Sequence, residues 1–457
     1  MHFKIFLLLI TLSNSQTFFN KTIGNDNIIY SPRTIGLGNN IGHGAIDAYA
    51  LFGNPSNLIN ENEDFTFILN SNVENLNERR SFILKDSFGD FLTEADYIVN
   101  KNRRLNTSSG FTYNKVVNKH LFAFGFSFSP VIDFSSNYLE EVRGKVDCED
   151  LTPCTRDVLS GYQQFNTDGT INGLSVGIAT IFKTMLGNIK IGLSHTSTLN
   201  STIDYEILID TLHNEWTNLS QIQSEKGSVS VEPSNSLNYG MTYDSNIGVV
   251  FSLFYRSPIK FRSDGLYPFG YLNEASGLIE YNIPCDNQNC TNNVYQYKFD
   301  LNVPQFQTPQ KIGISLGYRP VSNQRTAIFF ELIENKYDNI MMGIFRESSQ
   351  NLDTDNYRFS TSNELKFGLE YGTYSKSSIR TGFSLVESPV PGVKSQSKIS
   401  FGYGKRIEKI TIDFGLSYFQ NYYNYPDIFP ILDDPRPDFD SVKESNYSLS
   451  TAIRYSF

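Results

Sequence analysis

The sequence predicts an all-β chain: a transmembrane antiparallel β-barrel of about 14 strands, with an N-terminal plug segment. Three observations predict it. Aromatic residues make up 14% of the 457 residues, with 27 Tyr and 36 Phe, while charged residues make up only 19%. The mean hydropathy of -0.31 is too low for a bundle of membrane helices, each of which needs about 20 consecutive apolar residues. Such an aromatic content also excludes a disordered chain. Second, many segments alternate apolar and small or polar residues with a period of two, the mark of a strand with one apolar face. Third, short and long connections between those segments alternate, as turns and loops do at the two ends of an outer-membrane barrel.

The elements follow in chain order. Residues 1–15 read as a secretion signal. Lys4 supplies the positive charge, Ile5 to Leu12 the short apolar core, and Ser13-Asn14-Ser15 the cleavage pattern before Gln16. Residues 16–60 read as the plug. Within them, Gly36, Gly38, Gly42 and Gly44 precede an apolar helical stretch, Ala45 to Phe52, and then Gly53-Asn54-Pro55-Ser56. Polar, glycine-rich and partly helical, this stretch suits the inside of a barrel wide enough to need filling. The barrel is expected over residues 61–457.

Fourteen strands are expected, at about 64–70, 108–116, 120–129, 171–183, 187–195, 236–243, 247–256, 311–319, 325–333, 362–371, 377–386, 397–404, 410–419 and 446–457. The last alternates Tyr447, Leu449, Thr451, Ile453, Tyr455 and Phe457 with Ser448, Ser450, Ala452, Arg454 and Ser456. Phe122 to Phe128 alternates with Ala123, Gly125 and Ser127 in the same way. Lys366, Glu370, Arg380, Asp413 and Arg454 fall on the polar faces, which suits a wet or plugged lumen. The apolar faces end in Tyr or Phe, as interface girdles do.

The long connections are expected at 71–107, 130–170, 196–235, 257–310, 334–361, 387–396 and 420–445. The first holds a helical pattern from Phe82 to Asn100. The cysteines form two close pairs, Cys148 with Cys154 and Cys285 with Cys290, both in long loops. In an exported chain they read as disulfides rather than as a metal site.

The net charge of -10 lacks the basic footprint of a nucleic-acid binder. Of the five histidines, His43 falls in the plug segment, and His120, His195 and His213 are scattered. None stands with a Ser or an acid at catalytic spacing, so no enzyme, metal or cofactor is expected.

The run of glycines, the apolar helix and Asn54-Pro55 resemble the start of the FadL/TodX-type outer-membrane transport proteins for hydrophobic compounds. That family usually has Ala where Ser56 stands. Asn238-Tyr239-Gly240-Met241, Tyr255-Arg256-Ser257-Pro258, Glu364 to Tyr371, Ile379 to Phe383 and Ile399 to Tyr403 resemble its later strands. The resemblance implies a passive, plug-gated channel in the bacterial outer membrane. Its partners would be fatty acids or hydrocarbons, outer-membrane lipid and lipopolysaccharide, and the barrel assembly machinery. The chain would act as a monomer, with Phe457 as the assembly signal. Gly42, His43, Gly44, Asp47, Asn54 and Pro55 become the plug and ligand candidates. Arg256 and Arg319 are candidates for a carboxylate, which Arg binds bidentately. The alternative is a barrel of the same fold that docks exported proteins, as PorV-like secretion shuttles do. An apolar lumen pocket favours transport, and a sealed polar lumen favours docking.

Overall fold

The structure is a computed structural model that describes residues 25–26, 31–61, 63–86, 88, 90–118, 120–145, 157–211, 222–261, 271–273, 278–282, 294–298, 306–337, 341–348, 351–358, 360–389, 395–426 and 439–457. The expected secretion signal, His213 and all four cysteines lie outside these residues.

Fourteen antiparallel strands close on themselves. They are β1 Phe65–Lys85, β2 Phe91–Val117, β3 His120–Asp133, β4 Thr170–Lys183, β5 Gly187–Thr198, β6 Asn235–Ser245 and β7 Val249–Arg256. The second half runs β8 Gln310–Tyr318, β9 Thr326–Lys336, β10 Ser362–Gly372, β11 Ser377–Val386, β12 Gln396–Ile407, β13 Ile410–Pro426 and β14 Phe439–Ser456. Each strand pairs with its chain neighbours, and β14 pairs with β1, Ser456 opposite Thr66. Every strand expected from the sequence is present.

Alternation places the two faces. On β14, Leu449 and Ile453 are exposed while Ala452 and Ser450 are buried. The same holds around the wall: Phe124, Ile191, Leu253, Ile314, Phe330, Phe367, Phe401 and Leu416 all point outward and are exposed. In water this surface would be untenable, because large apolar patches demand a partner. Against lipid it is the expected belt. Aromatic residues bound the belt on β14, with Tyr447 against Tyr418 at one level and Tyr455 against Phe457 at the other. The rise of about 3.3 Å per residue puts these two levels roughly 25 Å apart along the strand, which at a barrel tilt of about 40° is a belt roughly 20 Å tall, somewhat less than the usual apolar band of about 25 Å.

The first long loop differs from expectation. The helical pattern from Phe82 to Asn100 is instead the far end of a hairpin, in which β1 pairs with β2 from Phe65 opposite Tyr113 to Lys85 opposite Phe91. The Asp86 carboxylate accepts the amides of Phe88 and Asp90 and so turns the chain. Such an acceptor favours a turn over a helix interior. Likewise β13 and β14 run well into the expected loop at 420–445. Two further loops supply strands 136–145, 157–168, 201–211 and 222–231, which form their own four-stranded antiparallel sheet at that end. Among the described residues, the opposite end carries only short turns between strands. His120 and His195 lie exposed on the outside of the wall.

Candidate functional site

Residues 31–59 lie inside the barrel, buried almost throughout and touching strands on every side. They form four short helical turns: α1 Pro32–Gly36, α2 Ile41–Gly44, and 3-10 turns at Ala48–Phe52 and Pro55–Leu58. Local chemistry explains each turn. Pro32 opens α1 with a preset φ, and Gly38 and Asn39 leave it at positive φ of 74° and 59°. The carbonyl oxygen of the Asn40 side chain accepts the His43 amide and caps α2. Asp47 caps the third turn by accepting the Tyr49 amide. Asn54 accepts the amide and hydroxyl of Ser56 and caps the fourth. The expected helix Ala45 to Phe52 is thus one 3-10 turn, preceded by an extended stretch at Ala45 to Asp47. Asn54-Pro55 begins a turn within the lumen, several residues before the wall starts at Phe65.

The wall makes room for this backbone with glycine. A Cβ on Gly382 would sit 2.0 Å from the Gly38 nitrogen, and one on Gly192 would sit 2.3 Å from the Pro55 carbonyl carbon. Gly177, Gly368, Gly402 and Gly415 approach the segment similarly. Gly368 lies directly opposite Gly382, and Gly402 opposite Gly415, so the glycines form a track across adjacent strands.

Charge anchors the segment to that track. Arg33 grips Glu370 bidentately, with Nε to Oε1 at 3.0 Å and Nη2 to Oε2 at 2.8 Å. Its Nη1 donates to the carbonyls of His43 and Gly44. Arg380 donates to Glu370 and to Asp413, extending the pairing along the wall. On the other side, Glu331 accepts the amides of Ile41 at 2.9 Å and Gly42 at 2.5 Å, with Lys366 at 3.4 Å. Asn54 and Asn57 both donate to the Gly42 carbonyl, and Asn54 also bonds Thr242. Asn238 donates to the Leu51 carbonyl.

Gly42, Gly44 and Asn54 are therefore brought into one bonded network, and Pro55 packs against the glycine track. Arg256 and Arg319 are not brought together. Arg256 is buried at the loop end of β7, and Arg319 is in the short turn after β8, half exposed and 3.9 Å from Glu370. A strand's length separates them, so no single carboxylate reaches both. Arg33 and Glu331 were not singled out in the sequence. The only local signal for Glu331 is its place on the lumen face of β9, in step with Ala327 and Phe329.

One apolar cluster holds an aromatic side chain of the segment. Phe52 is 1% exposed and packs among Val131, Ile132, Phe134, Ile171, Ile259 and Phe261 at the loop end. Beside it the wall changes character. β2 pairs with β3 only from Val117 opposite His120 to Ser109 opposite Phe128. Beyond that point side chains bridge the seam: Arg104 reaches the Ser135 carbonyl, and Asn102 exchanges two bonds with Asn137. Asn25 and Asp26 pair with Asp133 and Ile132 on the edge that β2 leaves open.

Two lumenal groups titrate unusually. Burial, opposed by the Arg454 charge, pushes the Asp47 carboxyl up to about 6. Burial, aided by the Arg33 charge, pulls His43 down to about 3. The signs oppose. Asp47 favours the docked segment below its free value near 3.8, and that gain is lost as pH rises through 6. His43 favours docking above its free value near 6.5, and that gain is lost as pH falls toward 3. Between pH 4 and 6 the two compensate. Asp47→Asn is expected to make docking acid-labile in that window, and His43→Gln to make it alkali-labile. Limited proteolysis of the segment against pH checks this, and identical profiles for both variants would refute it.

No family model matches the sequence, and no curated protein matches it. Solved structures do. The chain is similar to the P. putida toluene transporter TodX, with TM-score 0.57 and 13% identity over 94% of this chain and 99% of that one. A Pseudomonas aeruginosa FadL homologue gives 0.55 at 13% identity, over 95% and 100%. The CymD monoaromatic hydrocarbon channel gives 0.51 at 11%, over 94% and 98%. At these identities the shared property is the fold, and it extends over nearly the whole length of each chain.

Proposed function

We propose that the protein is a bacterial outer-membrane channel for passive uptake of hydrophobic solutes, not an enzyme, and that residues 16–60 act as its plug. On this reading residues 1–15 are removed on export. The observation that supports it is Phe52, an aromatic side chain of the lumenal segment packed among apolar residues of the wall and loops, surroundings that suit an apolar ring. Burying each CH₂-sized group contributes about 0.8 kcal/mol, so a solute that took the place of Phe52 would bind with useful affinity. The solved structures of like fold are hydrocarbon and toluene channels, and none of those named here supports the docking alternative.

The test is uptake of toluene into liposomes, against a general porin as control. Saturable uptake is expected, and Phe52→Ala should raise the amount of apolar molecule that co-purifies, because an emptied apolar cavity stays dry and takes ring-shaped guests. Non-saturable flux equal to the porin's, with no apolar molecule extracted from either form, would end this reading.

Phe457 is the proposed assembly signal. Its amide donates to the Phe65 carbonyl, and its ring meets Phe65 and Tyr455 edge-on. Deleting it should reduce membrane insertion severalfold, read as the heat-modifiable fraction on a gel. Undiminished insertion would count against the assignment.

A further inference from the structure

The outside of the wall changes character where the lipid belt ends on the loop side. Four neighbouring strands, β13, β14, β1 and β2, run past that edge, and their register sets the outward side chains in rows. The last apolar row holds Leu416, Leu449 and Leu105, all exposed. The next holds Tyr418, Tyr447 and Arg103. One step further stands Lys101, and beyond it Tyr422, Lys443 and Arg79 form a row of their own.

Arg103, Lys101, Arg79 and Lys443 are all exposed. Strand separation and the two-residue rise put neighbouring cations about 5–8 Å apart. Among the described residues, their one ion pair is Arg79 with Asp96 at 3.3 Å. Glu78 and Glu444 of the same strands point inward and are buried. Lys443 lies 5.1 Å from the centre of the Tyr422 ring. Lys101 and Arg103 make no side-chain hydrogen bond or ion pair among the described residues. Arg79 and Lys443 are directly opposite each other, an arrangement of like charges that destabilises a sheet. It occurs in a chain whose net charge is -10. The excess is local: at the loop end of β9 to β11 the outward side chains are Glu334 with Lys336, and Glu387 with Asn363.

Three cations are thus left without an acid, at the level where lipid head groups begin. A phosphodiester brings one negative charge, whereas a phosphate monoester brings about 1.5–2 at neutral pH. An excess of three therefore suits monoesters better, and Arg103 can take one bidentately. Between the cations stand Asn75, Asn77 and Ser445, neutral groups that suit sugar hydroxyls.

We propose that this patch holds the head group of an outer-leaflet lipid built on a phosphorylated saccharide. Its phosphate monoesters lie on Arg103, Lys101, Arg79 and Lys443, and its acyl chains run down over Leu105, Leu449 and Leu416. The site is on the outside of the wall, away from the lumenal segment. It rests on the outer-membrane placement of the barrel and not on uptake.

The test is native mass spectrometry of the full chain in detergent micelles, with diphosphoryl lipid A as the probe and phosphatidylglycerol, a phosphodiester, as its competitor. At low salt, diphosphoryl lipid A is expected to be retained about tenfold more, since one added hydrogen bond between charged groups supplies that factor. Lys101→Gln/Arg103→Gln should bring the ratio toward one, and neither side chain has a described partner whose loss would strain the fold. Lys183→Gln/Lys409→Gln removes two exposed cations at the short-turn end and should leave the ratio unchanged. Equal retention of the two lipids by the unaltered protein would overturn the proposal. So would an equal loss in both double variants, which is a general charge effect. Displacement of lipid A by inorganic phosphate at the same concentration would overturn it too, since the apolar row would then contribute nothing. Toluene flux through the Lys101→Gln/Arg103→Gln barrel should match that of the unaltered protein, so the site and the uptake reading stand or fall separately.

Discussion

Glu331→Ala is expected to free the lumenal segment and turn a closed barrel into a conducting one. Glu331 is fully buried. Its two carboxylate oxygens take the Ile41 and Gly42 amides, and Oε1 also faces Lys366 at 3.4 Å. Alanine removes all three interactions at once and leaves two amides and an ammonium without that acceptor. The ion pair joins two wall strands, so the segment itself loses the two amide bonds to the carboxylate. Each hydrogen bond to a charged group contributes about 1.5–3 kcal/mol, so about 3 kcal/mol is the lower bound here. That shifts docked against undocked by roughly a hundredfold. Glu331→Gln retains an acceptor but loses the charge, and should fall between. Single-channel recording in planar bilayers reads the result directly. A quiet Glu331→Ala barrel would show that the segment is held elsewhere.

The glycine track gives the second large effect. Alanine at Gly382 or Gly192 places a methyl 2.0–2.4 Å from backbone atoms of the lumenal segment. No rotamer change can clear a backbone contact, so the segment itself must shift. Overpacking of this kind costs typically about 1–3 kcal/mol per site, and the double variant should exceed either alone. Gly372 is the control, because a Cβ there meets nothing nearer than 3.7 Å. The expected result is a barrel that still runs heat-modifiably on a gel while its lumenal segment becomes protease-sensitive. Gly372→Ala should behave as wild type. Equal protection in all three would mean that the track has no part in seating the segment.

The sequence revealed the wall more readily than its contents, for a physical reason. Period-two alternation exists where one face meets lipid and the other does not, which is the stretch that Tyr447 and Phe457 bracket on β14. Past the lipid belt both faces of β1 are polar, as Glu74, Asn75, Asn77, Glu78 and Arg79 show. There the alternation fades while the ladder continues. This is why Phe82 to Asn100 read as a helix and folds as a hairpin. The caps Asn40, Asp47 and Asn54 act within three residues of themselves, a local signal that the sequence analysis did not use. The anchors left no such signal. Arg33 and Glu370 are far apart in the chain, and neither local sequence mentions the other. The glycines were visible as a small-residue face, but their alignment into a track depends on register, which only pairing such as Gly368 with Gly382 reveals.

The pairing of β1 with β14 bears on the order in which the molecule is made. Thr66 must find Ser456, so the contact that closes the ring links nearly the two ends of the wall. Loop-closure entropy makes such contacts slow to form. The lumenal segment precedes the wall in the chain, yet α1 rests on β11 to β14, the last strands to arrive. The seat of α1 therefore does not exist until the ring is nearly complete, whereas Ala48–Phe52 rests on β2 to β5. An element made before every strand of the wall thus finds its partners only in the last strands made.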